Sequence, residues 1–311
     1  MRVAITGCAG FIGSHAVDYF LSQGCFVVGI DSLTYAGNLD NIQMASQNKN
    51  FKFIKMDINE TDDVTQICAS LNIQWIINFA AETHVDNSII CDSKFIHSNI
   101  IGVSSLLKVC RKLNLPLFHV STDEVYGPAL GDTSFKEGDV LNPLNPYSAT
   151  KAAAEHLIKS FHNTYKTNYI IVRPSNNFGP RQHKEKFLPT IIKNLQNNKK
   201  IPVYGDGTNI RDWLYVKDNV EIMYNILVKS KLNETYNITS KKEITNLEMI
   251  KNVTKIMQVN MSENVKFVKD RPGHDFRYSV SDDKIKKLGV VKKNDFYKNL
   301  KATVASFGVN K

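Results

Sequence analysis

The chain has 311 residues, 42% of them hydrophobic, and a formal net charge of +9. That length suffices for one large core and a smaller one, and no run reaches the roughly twenty apolar residues that a membrane span requires, so no membrane partner is expected. The lysines stand singly or in pairs, as at Lys199-Lys200, Lys241-Lys242 and Lys292-Lys293, without a stacking-aromatic RNA motif or zinc-finger spacing, which argues against a nucleic-acid partner and leaves a field suited to a small anionic ligand.

The five cysteines (Cys8, Cys25, Cys68, Cys91 and Cys110) are odd in number and never form Cys-x-x-Cys, so neither a disulfide framework nor a metal site is indicated. His84, His97, His119, His156 and His162 share no ligand spacing, and none is assigned a metal role. The amino terminus shows no charged-then-apolar leader, so a soluble, cytoplasmic protein is expected.

In chain order, residues 2–6 read as a buried strand. Gly7-Cys8-Ala9-Gly10-Phe11-Ile12-Gly13 then turns into a helical pattern through Ala16, Val17, Phe20 and Leu21 that ends near Gly24. Strand, glycine turn and helix in that order suit a pyrophosphate: glycines permit the tight turn, and the helix start offers free N–H groups and a partial positive charge. The next strand, 26–30, closes on Asp31 about twenty residues after the turn, where a carboxylate accepts from ribose hydroxyls and repels a 2′-phosphate. NAD is therefore favoured over NADP. A strand over 51–56 closes on Asp57-Ile58, where Asp57 reads equally as an adenine contact or as a helix-capping turn residue. A helix over 62–71 and a strand over 75–79 follow, opening on Ala80-Ala81, which are small enough for a cofactor backbone to pass.

A helix over 94–113 leads to the apolar run 117–120, which ends in Ser121-Thr122-Asp123-Glu124-Val125-Tyr126. At the carboxyl end of a parallel strand this sets a hydroxyl, an acid and a base together in the ligand crevice. Tyr147 and Lys151 are four residues apart and share one face of a helix expected over 148–165. The alternation predicts an α/β fold: a doubly wound parallel Rossmann sheet over 1–176, with segments near 212–240 returning to it. Residues 177–311 are expected to form mainly a smaller substrate lobe, with helices over 188–197, 246–257 and 282–288. Both 212–216 and 234–238 are read as elements that rejoin the large sheet. The lysine cluster 284–293 reads as a solvated face.

Gly7-x-x-Gly10-x-x-Gly13, Asp31, Thr122-Asp123-Glu124 and Tyr147-x-x-x-Lys151 together resemble the extended short-chain dehydrogenase/reductases, and among them the nucleotide-sugar 4,6-dehydratases. The likeness runs almost end to end, through D-S-L-T-Y-A-G-N at Asp31 to Asn38, A-A-E-T-H-V-D at Ala80 to Asp86, S-T-D-E-V-Y-G at Ser121 to Gly127 and P-Y-S-A-T-K at Pro146 to Lys151. It continues in R-P-S-N-N-F-G-P at Arg173 to Pro180, Y-G-D-G-T-N-I-R-D-W at Tyr204 to Trp213 and R-P-G-H-D at Arg271 to Asp275. Thr-Asp-Glu before Val-Tyr-Gly is the specific signal, because related sugar epimerases usually carry small residues at the Asp-Glu positions.

The resemblance implies an NAD site that includes Phe11, Ile12, Asp31, Ser32, Leu33, Thr34, Asp57, Ile58, Ala80, Ala81, Thr83, Ser98, Tyr147, Lys151 and Asn177 beside the three glycines. It implies a sugar nucleotide held by Thr83, Thr122, Asn176, Lys186, Tyr204, Arg211, Asn237, His274 and Tyr278, with dTDP-glucose or UDP-glucose as substrate and a homodimer as assembly. Lys151 would favour the Tyr147 phenolate as the base for the sugar's 4-hydroxyl, Thr122 would orient that hydroxyl, Glu124 would act on carbon 5, and protonated Asp123 would release the 6-hydroxyl as water. Ser32, Asn87, Arg181-Gln182-His183-Lys184 and Phe187 depart from the usual residues, which leaves thymine against uracil open. A UDP-sugar 4-epimerase would use Thr122, Tyr147 and Lys151 but has no need of an acid-base pair beside Thr122, and a non-catalytic NAD-binding protein would have no need of any of them.

Overall fold

A computed structural model describes residues 1–270, 275–290 and 295–309. Its first half comprises β1 (Arg2–Thr6), α1 (Phe11–Ser22), β2 (Phe26–Asp31), β3 (Phe51–Lys55), α2 (Thr61–Ser70), β4 (Trp75–Asn78), α3 (Val85–Ile90), α4 (Ser93–Phe95), α5 (Gly102–Leu113), β5 (Leu117–Val120), α6 (Pro146–Tyr165) and β6 (Tyr169–Pro174). There follow β7 (Asn176–Phe178), α7 (Phe187–Gln196), β8 (Ile201–Tyr204), β9 (Ile210–Tyr215), α8 (Val216–Lys229), β10 (Glu234–Ile238), β11 (Glu243–Thr245), α9 (Asn246–Met257), α10 (Met261–Asn264), β12 (Val265–Val268), α11 (Asp283–Lys287) and α12 (Phe296–Ser306).

Seven strands form one sheet in the order β10-β6-β5-β4-β1-β2-β3, and every pairing in it is parallel. The period of two along each strand sorts the core. Val3 and Ile5 of β1 pack with Ala16, Val17 and Phe20 of α1 and Val220 and Ile226 of α8 on one face. Ala4 faces the other layer, with Val64 of α2, Leu106 of α5 and Ile158 of α6. This is the doubly wound Rossmann arrangement that the alternation predicts. A separate cluster built on Phe178, Leu188, Trp213, Met249 and Leu300 forms the core of the lobe.

The lobe holds two small sheets, β11-β9-β7 and β12-β8. Here one expectation fails: residues 234–238 rejoin the large sheet as β10, but 212–216 do not. Asp212 to Tyr215 belong to β9, which pairs with β7 and β11, and Val216 opens α8. The helix expected over 94–113 is continuous but passes through a π-helical stretch, Ile96–Ile101. From within that stretch Asn99 accepts from the Glu82 N–H (2.9 Å) and donates to the Glu82 carbonyl (3.0 Å) and to Thr150 (2.9 Å), so the widened turn ties the loop after β4 to α6. Among the described residues no helix is long and apolar enough to cross a membrane.

Candidate active site

Gly7 sits at φ +66°, and a Cβ there would lie 2.7 Å from the Ala80 nitrogen; one on Gly13 would lie 2.0 Å from the Gly7 carbonyl oxygen. Only glycine lets this turn press against both β4 and α1. Gly10 caps α1 without a side-chain hydrogen bond, which leaves the first-turn N–H groups for an anion. Asp31 closes β2 with one carboxylate oxygen accepting from Ala9 N (2.9 Å) and the other from Leu33 N (2.8 Å), and burial pushes its pKa up.

These features line a cleft of about 850 Å³ that also receives Ser32, Thr34, Asp57, Ile58, Ala80, Ala81 and Ser98 from the expected cofactor set. Asp57 is a turn residue, accepting from Asn59 N (2.9 Å) and Asn59 Nδ2 (2.8 Å), and it also faces the cleft. Phe11, Ile12, Gly13, Leu33, Thr83, Tyr147, Lys151 and Asn177 do not line this part of it. Leu33 packs its side chain on the core, and the Asn177 amide donates to Ser175 O (2.9 Å) and accepts from Asn219 (2.8 Å). The sequence reading missed Tyr35, Ala36 and Gly37 as lining residues, although they lie inside the quoted stretch after Asp31. It also missed Asn87, Ile90 and Cys91, carried by the short α3, which has no periodic signal of its own.

The five expected catalytic groups converge where β5 ends. Thr122 caps the single turn Asp123–Tyr126, its hydroxyl accepting from Glu124 N (3.3 Å) and lying 3.4 Å from an Asp123 carboxylate oxygen. Asn145 and Ser148 form a capping box with Pro146 in the first turn, which starts α6 so that Tyr147 reaches a hydrogen bond with Thr122. One turn on, Lys151 Nζ donates to the Val120 carbonyl (2.7 Å). Asp123 is only 3% exposed, and burial, then the charges of Glu124 and Asp212, push its pKa well up, which favours the protonated form that can donate a proton.

The expectation for the Tyr147–Lys151 pair is corrected. Burial lowers the Lys151 pKa to about 8, and burial with the charge of Glu124 drives that of Tyr147 upward. In the protein alone both shifts oppose the phenolate, that of Tyr147 chiefly through its own burial and then through the charge of Glu124.

Arg211 is buried in β9. Its guanidinium donates to the carbonyls of Ile210 (2.7 Å), Asp275 (2.9 Å) and Phe276 (3.2 Å) and lies over the Tyr278 ring at 4.6 Å. Its charge reaches Asp123, and Tyr278 feels Glu124, so this group adjoins the catalytic one. Lys186 Nζ donates to the Thr83 carbonyl (2.8 Å), bringing two more expected contacts together. Asn176 Oδ1 is buried with no hydrogen-bond partner, and Tyr204 on β8 stays 39% exposed.

Asn237 is the exception. It is fully buried, accepting from the Tyr126 hydroxyl (2.8 Å) and donating to the Phe135 carbonyl (3.1 Å), so its amide is tied into the fold by two of the four bonds it can make. His274 lies outside the described residues. His119 is a neutral core histidine beside Asn78 (3.1 Å), as its isolation in sequence suggests. Among the described residues no group of three or more His, Cys, Asp or Glu could hold a metal ion.

The family model for GDP-mannose 4,6 dehydratase matches residues 4–303. The chain is 41% identical over 306 residues to the low-salt glycan biosynthesis protein Agl12 of Haloferax volcanii, covering 98% of this chain and 97% of that one. It is 38% identical over 327 residues to dTDP-glucose 4,6-dehydratase of Haemophilus influenzae, covering 98% and 97% respectively. The crystal structure of DesIV, a dTDP-glucose 4,6-dehydratase from Streptomyces venezuelae with NAD and TYD bound, superposes with a TM-score of 0.95 at 35% identity, over 100% of this chain and 98% of that one.

Proposed function

The chain belongs to the GDP-mannose 4,6 dehydratase family, and from that premise we infer that it is an NAD-dependent nucleotide-sugar 4,6-dehydratase, a hydro-lyase that converts dTDP-glucose to the 4-keto-6-deoxy sugar and water. The observation that carries this reading is the buried Asp123, its pKa pushed up, beside Glu124 and grouped with Thr122 and Tyr147 at the end of β5. Oxidation at carbon 4 alone needs a base and a positioning hydroxyl; loss of water from carbons 5 and 6 needs an acid and a second base as well.

The glycine turn, the uncapped α1 terminus and Asp31 fit a dinucleotide in the cleft. When bound, NAD supplies the hydride acceptor for carbon 4 and the hydride donor for carbon 6. Tyr147 must be the phenolate to take the proton of the 4-hydroxyl, which Thr122 orients, and the cationic nicotinamide of bound NAD would favour that form. Glu124 removes the proton from carbon 5, acidified by the new ketone, while Asp123 protonates the departing 6-hydroxyl. Glu124 then returns its proton to carbon 5. Tyr147 has gained the proton that Asp123 has lost, and exchange between them resets the site.

We assign residues 1–176 with the returning β10 to the cofactor and residues 177–311 mainly to the sugar nucleotide, with Lys186 and Arg211 on the diphosphate and Tyr204 on the base. The protein is placed in the cytoplasm as a homodimer joined through α5 and α6. Ile96 and Ile101, exposed ahead of α5, support such a face, and a monomeric mass by light scattering would refute it. Side-by-side turnover of dTDP-glucose and UDP-glucose decides the base.

The test of the reaction is the fate of a deuterium on carbon 4 of the glucose. In product formed from mixed labelled and unlabelled substrate it should reappear on carbon 6 of the same molecule, with solvent hydrogen on carbon 5. Label kept on carbon 4 marks an epimerase instead, and label lost to free NADH marks a simple dehydrogenase.

A further inference from the structure

The segment 180–186, between β7 and α7, makes contacts that, Lys186 apart, the reaction does not use. His15 of α1 donates its Nε2 hydrogen to the Pro180 carbonyl (2.9 Å), and Arg181 lies 2.8 Å from Asp18, one helical turn further along α1. Arg181 holds φ +66°, a left-handed conformation that costs a side-chain-bearing residue free energy and persists only where its surroundings impose it. Gln182 donates to the Asn177 carbonyl (2.9 Å). The His183 ring meets Tyr35 edge-on, with centroids 5.4 Å apart and planes at 86°. The Tyr35 hydroxyl faces Glu185 and Thr83, and Lys186 closes the run on the Thr83 carbonyl (2.8 Å).

One short segment is thus fastened to each of the elements that carry a cofactor-binding turn: α1, whose start faces a phosphate, the loop after β2, where Tyr35 lines the cleft, and the loop after β4. We propose that 180–186 is a strap that holds NAD in place, with Arg181 and His183 as positioning residues that keep the cofactor bound through the cycle. This rests on the reading of the cleft as an NAD site. A hydride that leaves carbon 4 and returns to carbon 6 of the same sugar requires a cofactor that stays put, and a segment tied at once to α1, Tyr35 and the Thr83 loop holds the walls of the cleft together without itself lining it. The effect belongs to dissociation rather than to chemistry.

The test uses the full chain and the double variant Arg181→Ala/His183→Ala, followed by release of bound NAD after dilution into NAD-free buffer. Release should quicken at least ten-fold, while turnover with excess added NAD stays within two-fold of the wild type and the apo melting temperature is unchanged. The charge-swapped pair Asp18→Arg/Arg181→Asp should recover slow release, which a general loss of structure would not allow. Release as slow as in the wild type overturns the strap, as does fast release that the swapped pair fails to reverse. Failure of the wild-type protein itself to bind NAD would overturn the NAD reading of the cleft, and the strap with it; failure confined to the variants overturns the strap alone.

Discussion

Asp123 shows what burial does to one carboxyl. Its folded pKa lies well above the unfolded value of about 3.9, so the folded state binds the extra proton and ionisation opposes folding. The penalty is absent below the unfolded pKa and grows as pH rises toward the folded one. Asp123→Asn, which cannot ionise, should therefore gain melting temperature over the wild type at about pH 8 and much less at about pH 4; equal differences at both would mean that Asp123 ionises freely. In turnover the same variant should slow water loss more than oxidation at carbon 4, whereas Glu124→Gln should oxidise the sugar and accumulate NADH without product. The candidates themselves were legible in Thr122-Asp123-Glu124 only in combination with the glycine turn and the Tyr147-Lys151 pair, since polar residues after a strand are by themselves more often an ordinary strand-to-loop transition. The ionisation of Tyr147 was not legible, because it depends on how completely Tyr147 and Lys151 are desolvated, and no spacing reports that.

α6 carries Tyr147 and Lys151 on one face, and its position rests on an ion pair no motif announces. Glu155, a turn beyond Lys151, meets Arg173 of β6, whose Nε donates at 2.9 Å, and both are fully buried. Arg173 also donates to the Tyr126 hydroxyl and to the Glu137 carbonyl (3.2 Å), so the network lies behind the catalytic turn. Glu155→Ala would leave a buried guanidinium without its carboxylate and should cost about 3–5 kcal/mol of stability. A loss under about 1 kcal/mol in urea unfolding would show that Tyr126 and the Glu137 carbonyl suffice for Arg173. Residues eighteen positions apart in a helix and a strand leave no periodic trace, so sequence reasoning passed over the pair. β9 was misplaced for a related reason. Asp212 to Tyr215 are as apolar and β-prone as a strand of the large sheet, and only tertiary pairing with the short, polar β7 directs them to the lobe.

At the scale of the whole molecule the chain enters the lobe at β7 and comes back to place β10 beside β6. The six residues of β6 are all buried, and β10 pairs along it from Ile170 to Pro174. The glycine turn and the strand-helix alternation made the first five strands readable, and 234–238 was recognised as a returning element. The closure of the large sheet by a segment that follows the start of the lobe means that the first 176 residues lack one of their own walls. A chain ending at residue 230 should therefore expose the apolar edge of β6, together with the part of the core that Tyr236 and Ile238 of β10 would otherwise cover. Unpaired, apolar sheet edges associate with other chains, so that protein should show no cooperative thermal transition, aggregate at micromolar concentration and fail to bind NAD, even though every expected cofactor contact is still present. A single cooperative transition with NAD bound would show that the nucleotide-binding half folds without β10, and that the lobe is an appendage rather than a part of the same folding unit.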